Sequence, residues 1–196
     1  MLIRRKMILA SAMTPLAPLA FGFENSSKDA TPSEVLGPFY KRGAPLNGKL
    51  RANNGPGIPL KVVGNVWNTK GKLVEGAVVE LWHADHGGNY DTQGFNFRAK
   101  VAPNDSGVYE VETIMPGSYP DRPAQHIHYL ISAPGHKTLV TQAYFATDPF
   151  FEGDPAKNYR KRNIVKHPDL VRPVTLTEKN GATQTSIRFD IILEQA

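Results

Sequence analysis

The run Thr185-Ser186-Ile187-Arg188-Phe189-Asp190-Ile191-Ile192-Leu193 decides the fold class. Ile187, Phe189 and Ile191 alternate with Ser186, Arg188 and Asp190, the period of two expected of a strand with one buried face. Five further runs, residues 60–67, 77–82, 107–114, 126–133 and 139–146, are rich in β-formers and separated by turn residues such as Asn104-Asp105-Ser106-Gly107. Six such runs without sustained helical periodicity predict an all-β chain, a two-sheet antiparallel β-sandwich with irregular loops. At most one or two short helices are expected, one of them near residues 156–165.

Within the run at 126–133, His126-Ile127-His128 points two imidazoles to one face of a strand, roughly 6 to 7 Å apart at Cβ. That span suits two ligands of one metal ion. Tyr119 lies just upstream and Tyr90 follows Gly88-Asn89. A phenol, with its pKa near 10, becomes a ligand only if a strong Lewis acid ionises it, so imidazoles with phenolates suit a hard trivalent ion such as iron(III). Read from the residues alone, two inward histidines are also ordinary core side chains, and Tyr90 and Tyr119 are ordinary packed aromatics.

An ordered set of motifs extends these residues from about Thr31 to Asp154. It comprises Thr31-Pro32-Ser33-Glu34-Val35-Leu36-Gly37-Pro38-Phe39-Tyr40, Val79-Glu80-Leu81-Trp82-His83-Ala84-Asp85, Gly88-Asn89-Tyr90, Gly117-Ser118-Tyr119-Pro120, Arg122-Pro123-Ala124, His126-Ile127-His128 and Thr141-Gln142-Ala143-Tyr144-Phe145. In this set the chain resembles the intradiol ring-cleavage dioxygenases, the catechol 1,2-dioxygenase and protocatechuate 3,4-dioxygenase group. The resemblance implies Fe(III) held by Tyr90, Tyr119, His126 and His128, with Tyr119 the ligand exchanged for substrate. It implies a catecholic substrate and O2 as partners, cleaved to a cis,cis-muconate-type product. Arg122 and Gln142 would then stabilise charge at the ring, and Gly37, Pro38 and Tyr40 would line the substrate pocket together with Leu36 and Phe39. The chain departs from the family's usual Arg-Pro-Ala-His-Ile-His by carrying Gln125 between Ala124 and His126, which threatens to swing Arg122 out of reach.

Composition narrows the alternatives. The chain of 196 residues has no cysteine, which rules out disulfides and thiolate metal sites. A net charge of +5, part of it in Arg4, Arg5 and Lys6, does not call for nucleic acid. The denser group Lys157, Arg160, Lys161, Arg162 and Lys166 reads as a solvated face, or as an attractor of anionic aromatic substrates. Residues 1–23 read as an export-type leader: a basic start and an apolar stretch broken by Pro15 and Pro18, too short and interrupted to span a membrane stably. The Arg4-Arg5 pair suggests twin-arginine export to the periplasm or medium, a cytoplasmic location being the alternative. Residues 24–31 read as a linker and 32–196 as one catalytic domain. A homo-oligomer is compatible with all of this. Two other functions compete: a secreted transthyretin-like binding module without catalysis, and a jelly-roll metalloenzyme using His126 and His128 with a carboxylate.

Overall fold

The computed structural model describes residues 28–51, 55–179 and 181–196. The leader at 1–23 lies outside them. In chain order the strands are β1 (Pro59–Asn68), β2 (Val78–Trp82), β3 (Arg98–Val101), β4 (Val108–Ile114), β5 (His126–Ser132), β6 (Leu139–Phe145), β7 (Val171–Arg172), β8 (Thr175–Lys179), β9 (Ala182–Arg188) and β10 (Ile191–Leu193). A single α-helical turn, α1 (Pro155–Asn158), and 3-10 turns at 149–151, 161–163 and 168–170 lie between β6 and β7. The short helix expected near 156–165 is thus present as α1 and the 3-10 turn that follows it.

The strands form two five-stranded sheets. In the first, β1 pairs antiparallel with β4 on one edge and parallel with β9 and β10 on the other, while β8 continues outward from β9. In the second, the order is β3-β2-β5-β6-β7, antiparallel except for the parallel β6 and β7 pair. The sandwich is therefore mixed, which corrects the antiparallel expectation. The alternation at 185–193 identified a strand with one buried face but carried no information about the direction of its neighbour, and a long excursion after β6 returns the chain alongside β1 in the parallel sense.

The run at 185–193 splits into β9 and β10 without losing register, since Val63 pairs with Arg188 and Val66 with Ile191. At the break the Asp190 carboxylate accepts the Asn65 N–H (2.9 Å) in place of a backbone carbonyl. Gly64 sits at this point because a Cβ there would lie 2.0 Å from the Phe189 carbonyl oxygen. Between the sheets, Leu60, Val62 and Ile187 from the first meet Leu81, Ile127, Tyr129 and Phe145 from the second, and burying each such side chain contributes about 1.5–3 kcal/mol.

Because Ile127, Tyr129 and Ile131 of β5 face that core, His126 and His128 must face the other side of the second sheet. Register then assembles a row on that outer face. Trp82 of β2 and Gln142 of β6 both pair with His128, and Tyr144 of β6 pairs with His126. The face is covered by the segment that precedes β1. Glu34 N–H donates to the Val140 carbonyl (2.9 Å), which pins that segment to β6. Residues 28–31 lie along β10, where Thr31 N–H donates to the Ile192 carbonyl (3.0 Å).

Candidate metal centre

Three chain segments bring the tyrosines and histidines together. The β2 to β3 loop carries Tyr90, and its shape begins at Asp85, whose side chain accepts the N–H groups of Gly87 (2.8 Å) and Asn89 (2.9 Å). Arg98, at the start of β3, closes the loop: Nε and Nη2 donate to the Asp91 carbonyl and Nη1 to the Phe39 carbonyl. The β4 to β5 loop carries Tyr119. It approaches so closely that a Cβ on Gly88 would lie 2.3 Å from the Ser118 carbonyl oxygen, and one on Gly117 would lie 2.4 Å from the Gly88 nitrogen. Two glycines therefore set the distance between the two tyrosines, whose rings meet edge-on at 5.9 Å.

The third segment is β5. His126 Nε2 lies 3.1 Å from His128 Nε2 and 3.4 Å from the Tyr90 hydroxyl. The Tyr119 ring is 5.9 Å from that of His126. His126 Nδ1 is 2.8 Å from the Ala124 carbonyl; a carbonyl only accepts, so Nδ1 carries the proton and Nε2 presents a lone pair. Burial holds the His126 imidazole neutral, its pKa lowered to about 4, and lowers His128 further with help from His126 and Arg122. Burial also raises the Tyr90 and Tyr119 phenols, the nearby Tyr119 adding to the effect at Tyr90 and Arg122 opposing it at both.

These donors fit a trivalent transition metal. Two imidazole nitrogens 3.1 Å apart suit adjacent ligands bound at about 2.0–2.1 Å each. The phenols need a strong Lewis acid to ionise in so buried a place. Among the described residues no group of three His, Asp or Glu side chains is arranged to hold an ion.

Arg122 stays beside this cluster despite the extra Gln125. Tyr119 and Arg122 exchange both backbone hydrogen bonds across the Pro120-Asp121 turn (3.1 and 2.9 Å), so they travel as one unit and the insertion falls after it. Arg122 Nη2 donates to Gln142 Oε1 (2.5 Å) and to the Tyr144 hydroxyl (2.8 Å), while its Nε is buried without a partner. Gln142 Nε2 donates to the Val35 carbonyl (2.7 Å).

The covering segment meets the same cluster. Gly37, at φ +77, lies so close over His128 that a Cβ would be 2.8 Å from its Cε1. Phe39 stacks on Tyr90 at 4.3 Å. Pro38 is exposed, and Tyr40 rests against Trp82 at 5.1 Å with its hydroxyl 3.5 Å from Glu80. Trp82 stacks flat on His128, centroids 5.0 Å apart and planes within 5°. Sequence reading gave no role to Tyr144, Arg98 or this stacking. Tyr144 was findable, being two residues after Gln142 on the same strand face; the partners of Arg98 are backbone carbonyls and leave no mark in the sequence.

The structure is thus a mixed two-sheet sandwich with two histidines on an outer sheet face and two loop tyrosines brought against them. Residues 35–195 match the Dioxygenase_C family, described as Dioxygenase, and the chain belongs to this family of intradiol ring-cleavage dioxygenases. It is 32% identical over 195 residues to a chlorocatechol 1,2-dioxygenase of Rhodococcus opacus, covering 84% of this chain and 72% of the relative. It is 35% identical over 174 residues to a catechol 1,2-dioxygenase of Acinetobacter baylyi, covering 74% of this chain and 55% of the relative. Among solved structures, the dioxygenase domain of a dioxygenase carbohydrate-binding protein fusion from Streptomyces sp. SirexAA-E superposes with a TM-score of 0.71. That match has 32% identity and covers 86% of this chain and 100% of that one. The membership sets aside the binding-module alternative. No helix among the described residues is long and apolar enough to cross a membrane.

Proposed function

We propose that the chain cleaves a catechol-type aromatic diol with O2 between its two hydroxylated carbons, giving a cis,cis-muconate-type product, with iron(III) bound by Tyr90, Tyr119, His126 and His128. The observation that carries this reading is the placement of His126 Nε2 3.4 Å from the Tyr90 hydroxyl and 3.1 Å from His128 Nε2, with Arg122 and Gln142 on the neighbouring turn and strand. Iron(III), when bound, supplies the Lewis acidity that ionises phenols and draws electron density from a chelated diol, opening the ring to attack by oxygen.

The protein's own groups do the rest. His126 and His128 present neutral nitrogens because burial disfavours their charged forms. Tyr90, pinned under Phe39, is the permanent phenolic donor. Tyr119 sits on a turn, and its Oη takes up a proton that the diol loses on binding. The Arg122 guanidinium, held by Gln142 and Tyr144, keeps a buried Nε–H without a protein partner that serves negative charge growing on the substrate, and pre-aligned donors stabilise such charge most where water is excluded. Gly37, Pro38 and Tyr40 line the approach to the diol. If the leader directs export, the reaction takes place outside the cytoplasm, which cell fractionation of the full-length chain tests.

The deciding measurement is the visible spectrum of iron-loaded protein before and after catechol is added without oxygen. A tyrosinate-to-iron(III) band that shifts with catechol, followed by oxygen uptake on aeration, is expected. Protein that stays colourless and iron-free after loading overturns the reading.

A further inference from the structure

The extra residue Gln125 creates a connection that the ligand set alone does not suggest. The peptide joining Ala124 to Gln125 is engaged at both ends. Its N–H, that of Gln125, donates to Asp148 Oδ2 at 2.5 Å. Its carbonyl, that of Ala124, accepts the Nδ1–H of His126 at 2.8 Å. In a trans peptide the N–H and C=O point in opposite directions, so carboxylate, peptide and imidazole lie in series.

Asp148 is built for this place. It is 5% exposed and stands three residues beyond the end of β6. Its backbone N–H is tied to the Phe145 carbonyl (2.9 Å), and its Oδ1 accepts the Phe150 N–H (2.9 Å). Because His126 pairs with Tyr144 at the end of the ladder, the Gln125 N–H lies where β6 is ending, and the Asp148 side chain provides its acceptor. Among the described residues no Lys, Arg or His forms an ion pair with Asp148. Its charge is therefore answered by the two N–H groups it accepts, and a hydrogen bond to an ionised acceptor is roughly twice as strong as a neutral one.

We propose that Asp148 is a positioning residue for His126, acting through the Ala124-Gln125 peptide: the carboxylate polarises the peptide, the peptide carbonyl fixes the Nδ1–H tautomer, and Nε2 becomes a better-aimed, more basic ligand. Carboxylates behind metal-bound histidines do this by direct contact; here one peptide unit stands between, and polarisation passes along the hydrogen-bonded chain. The proposal rests on the reading of His126 as a ligand.

The test uses the full-length chain with 15N-labelled histidine, metal-free and iron-loaded. In metal-free wild type, His126 is expected as the Nδ1–H tautomer, with a slowly exchanging Gln125 amide. Asp148→Asn is expected to move the His126 nitrogen resonances, shift the tyrosinate absorption band and weaken iron binding about tenfold or more, the range seen when such outer partners of a ligand are lost. Asp154→Asn is the control: Asp154 caps α1 through the Lys157 N–H and has no route to His126, so it should change none of these. If Asp148→Asn and Asp148→Ser lower only the melting temperature and leave resonances, band and iron affinity as in wild type, Asp148 is merely the cap of the 149–151 turn and the proposal fails. Should neither variant fold, a wild-type His126 carrying its proton on Nε2 overturns it equally. Wild type without tyrosinate colour would sink the ligand assignment, while the metal-free resonances would still report the relay.

Discussion

The two tyrosines differ in how firmly they are held, and this decides what their loss does. Tyr90 lies under the Phe39 ring on a loop closed by Arg98, whereas Tyr119 sits beside a two-residue turn. Tyr90→Phe is expected to lose most of the iron and the colour. Tyr119→Phe should keep more iron and react slowly, as read by iron content, visible absorption and single-turnover rate. Equal iron and full activity in both would refute the assignment. Gly37 tests the contact from above: alanine there meets His128 at 2.8 Å and forces a side chain onto φ +77. Gly37→Ala should displace either the covering segment or the imidazole, and lower kcat/KM by about tenfold to a hundredfold, as misplacements near 1 Å can do. Unchanged kinetics would mean that this segment does not shape the site.

At the scale of elements, the parallel seam between β1 and β9–β10 depends on Gly64. A methyl group at that position would lie 2.0 Å from one backbone atom and 2.8 Å from the Tyr109 ring, and neither the carbonyl nor the buried ring can retreat cheaply. Gly64→Ala should cost about 1–3 kcal/mol or more, seen as a lower urea midpoint with an unchanged slope; wild-type stability would mean that the seam opens easily. The strands β1, β2, β4, β5 and β6 were legible within a residue or two because their alternation and turn signals agree. The strands β3 and β8 were not, since Arg98–Val101 and Thr175–Lys179 are short and charged and owe their state to neighbours already in place. The extra Gln125 read as a threat to Arg122; the tight Tyr119 to Arg122 turn leaves the guanidinium beside Gln142 and Tyr144, and whether such a turn closes depends on what packs around it.

Across the whole molecule, buried neutral histidines tie stability to pH. His83 is 1% exposed, bonded to the Ala84 carbonyl and to Thr113 Oγ1 (both 2.7 Å), and burial lowers its pKa to about 4. An unfolded histidine titrates near 6.5, so between these values the unfolded chain binds the extra proton. Stability from this group is complete above about pH 6.5 and drains away as pH falls toward 4, by on the order of 3 kcal/mol at the limit. In metal-free protein His126 and His128 add to the same trend. The gap in urea midpoint between wild type and His83→Gln should be widest near pH 7 and shrink by pH 4.5; a constant gap would show that His83 is not buried neutral. The sequence by itself determined the β class and the same-face placement of His126 and His128, because a two-residue period is a local property; the four-donor set came from the family resemblance and not from periodicity. The tertiary structure decided the mixed pairing of the sheets, the approach of Tyr90 to Tyr119 across two glycines, and the partners of Arg122, Tyr144 and Asp148. Those depend on which distant backbone atoms come within hydrogen-bond reach, and that is settled only when both sheets have closed on their core.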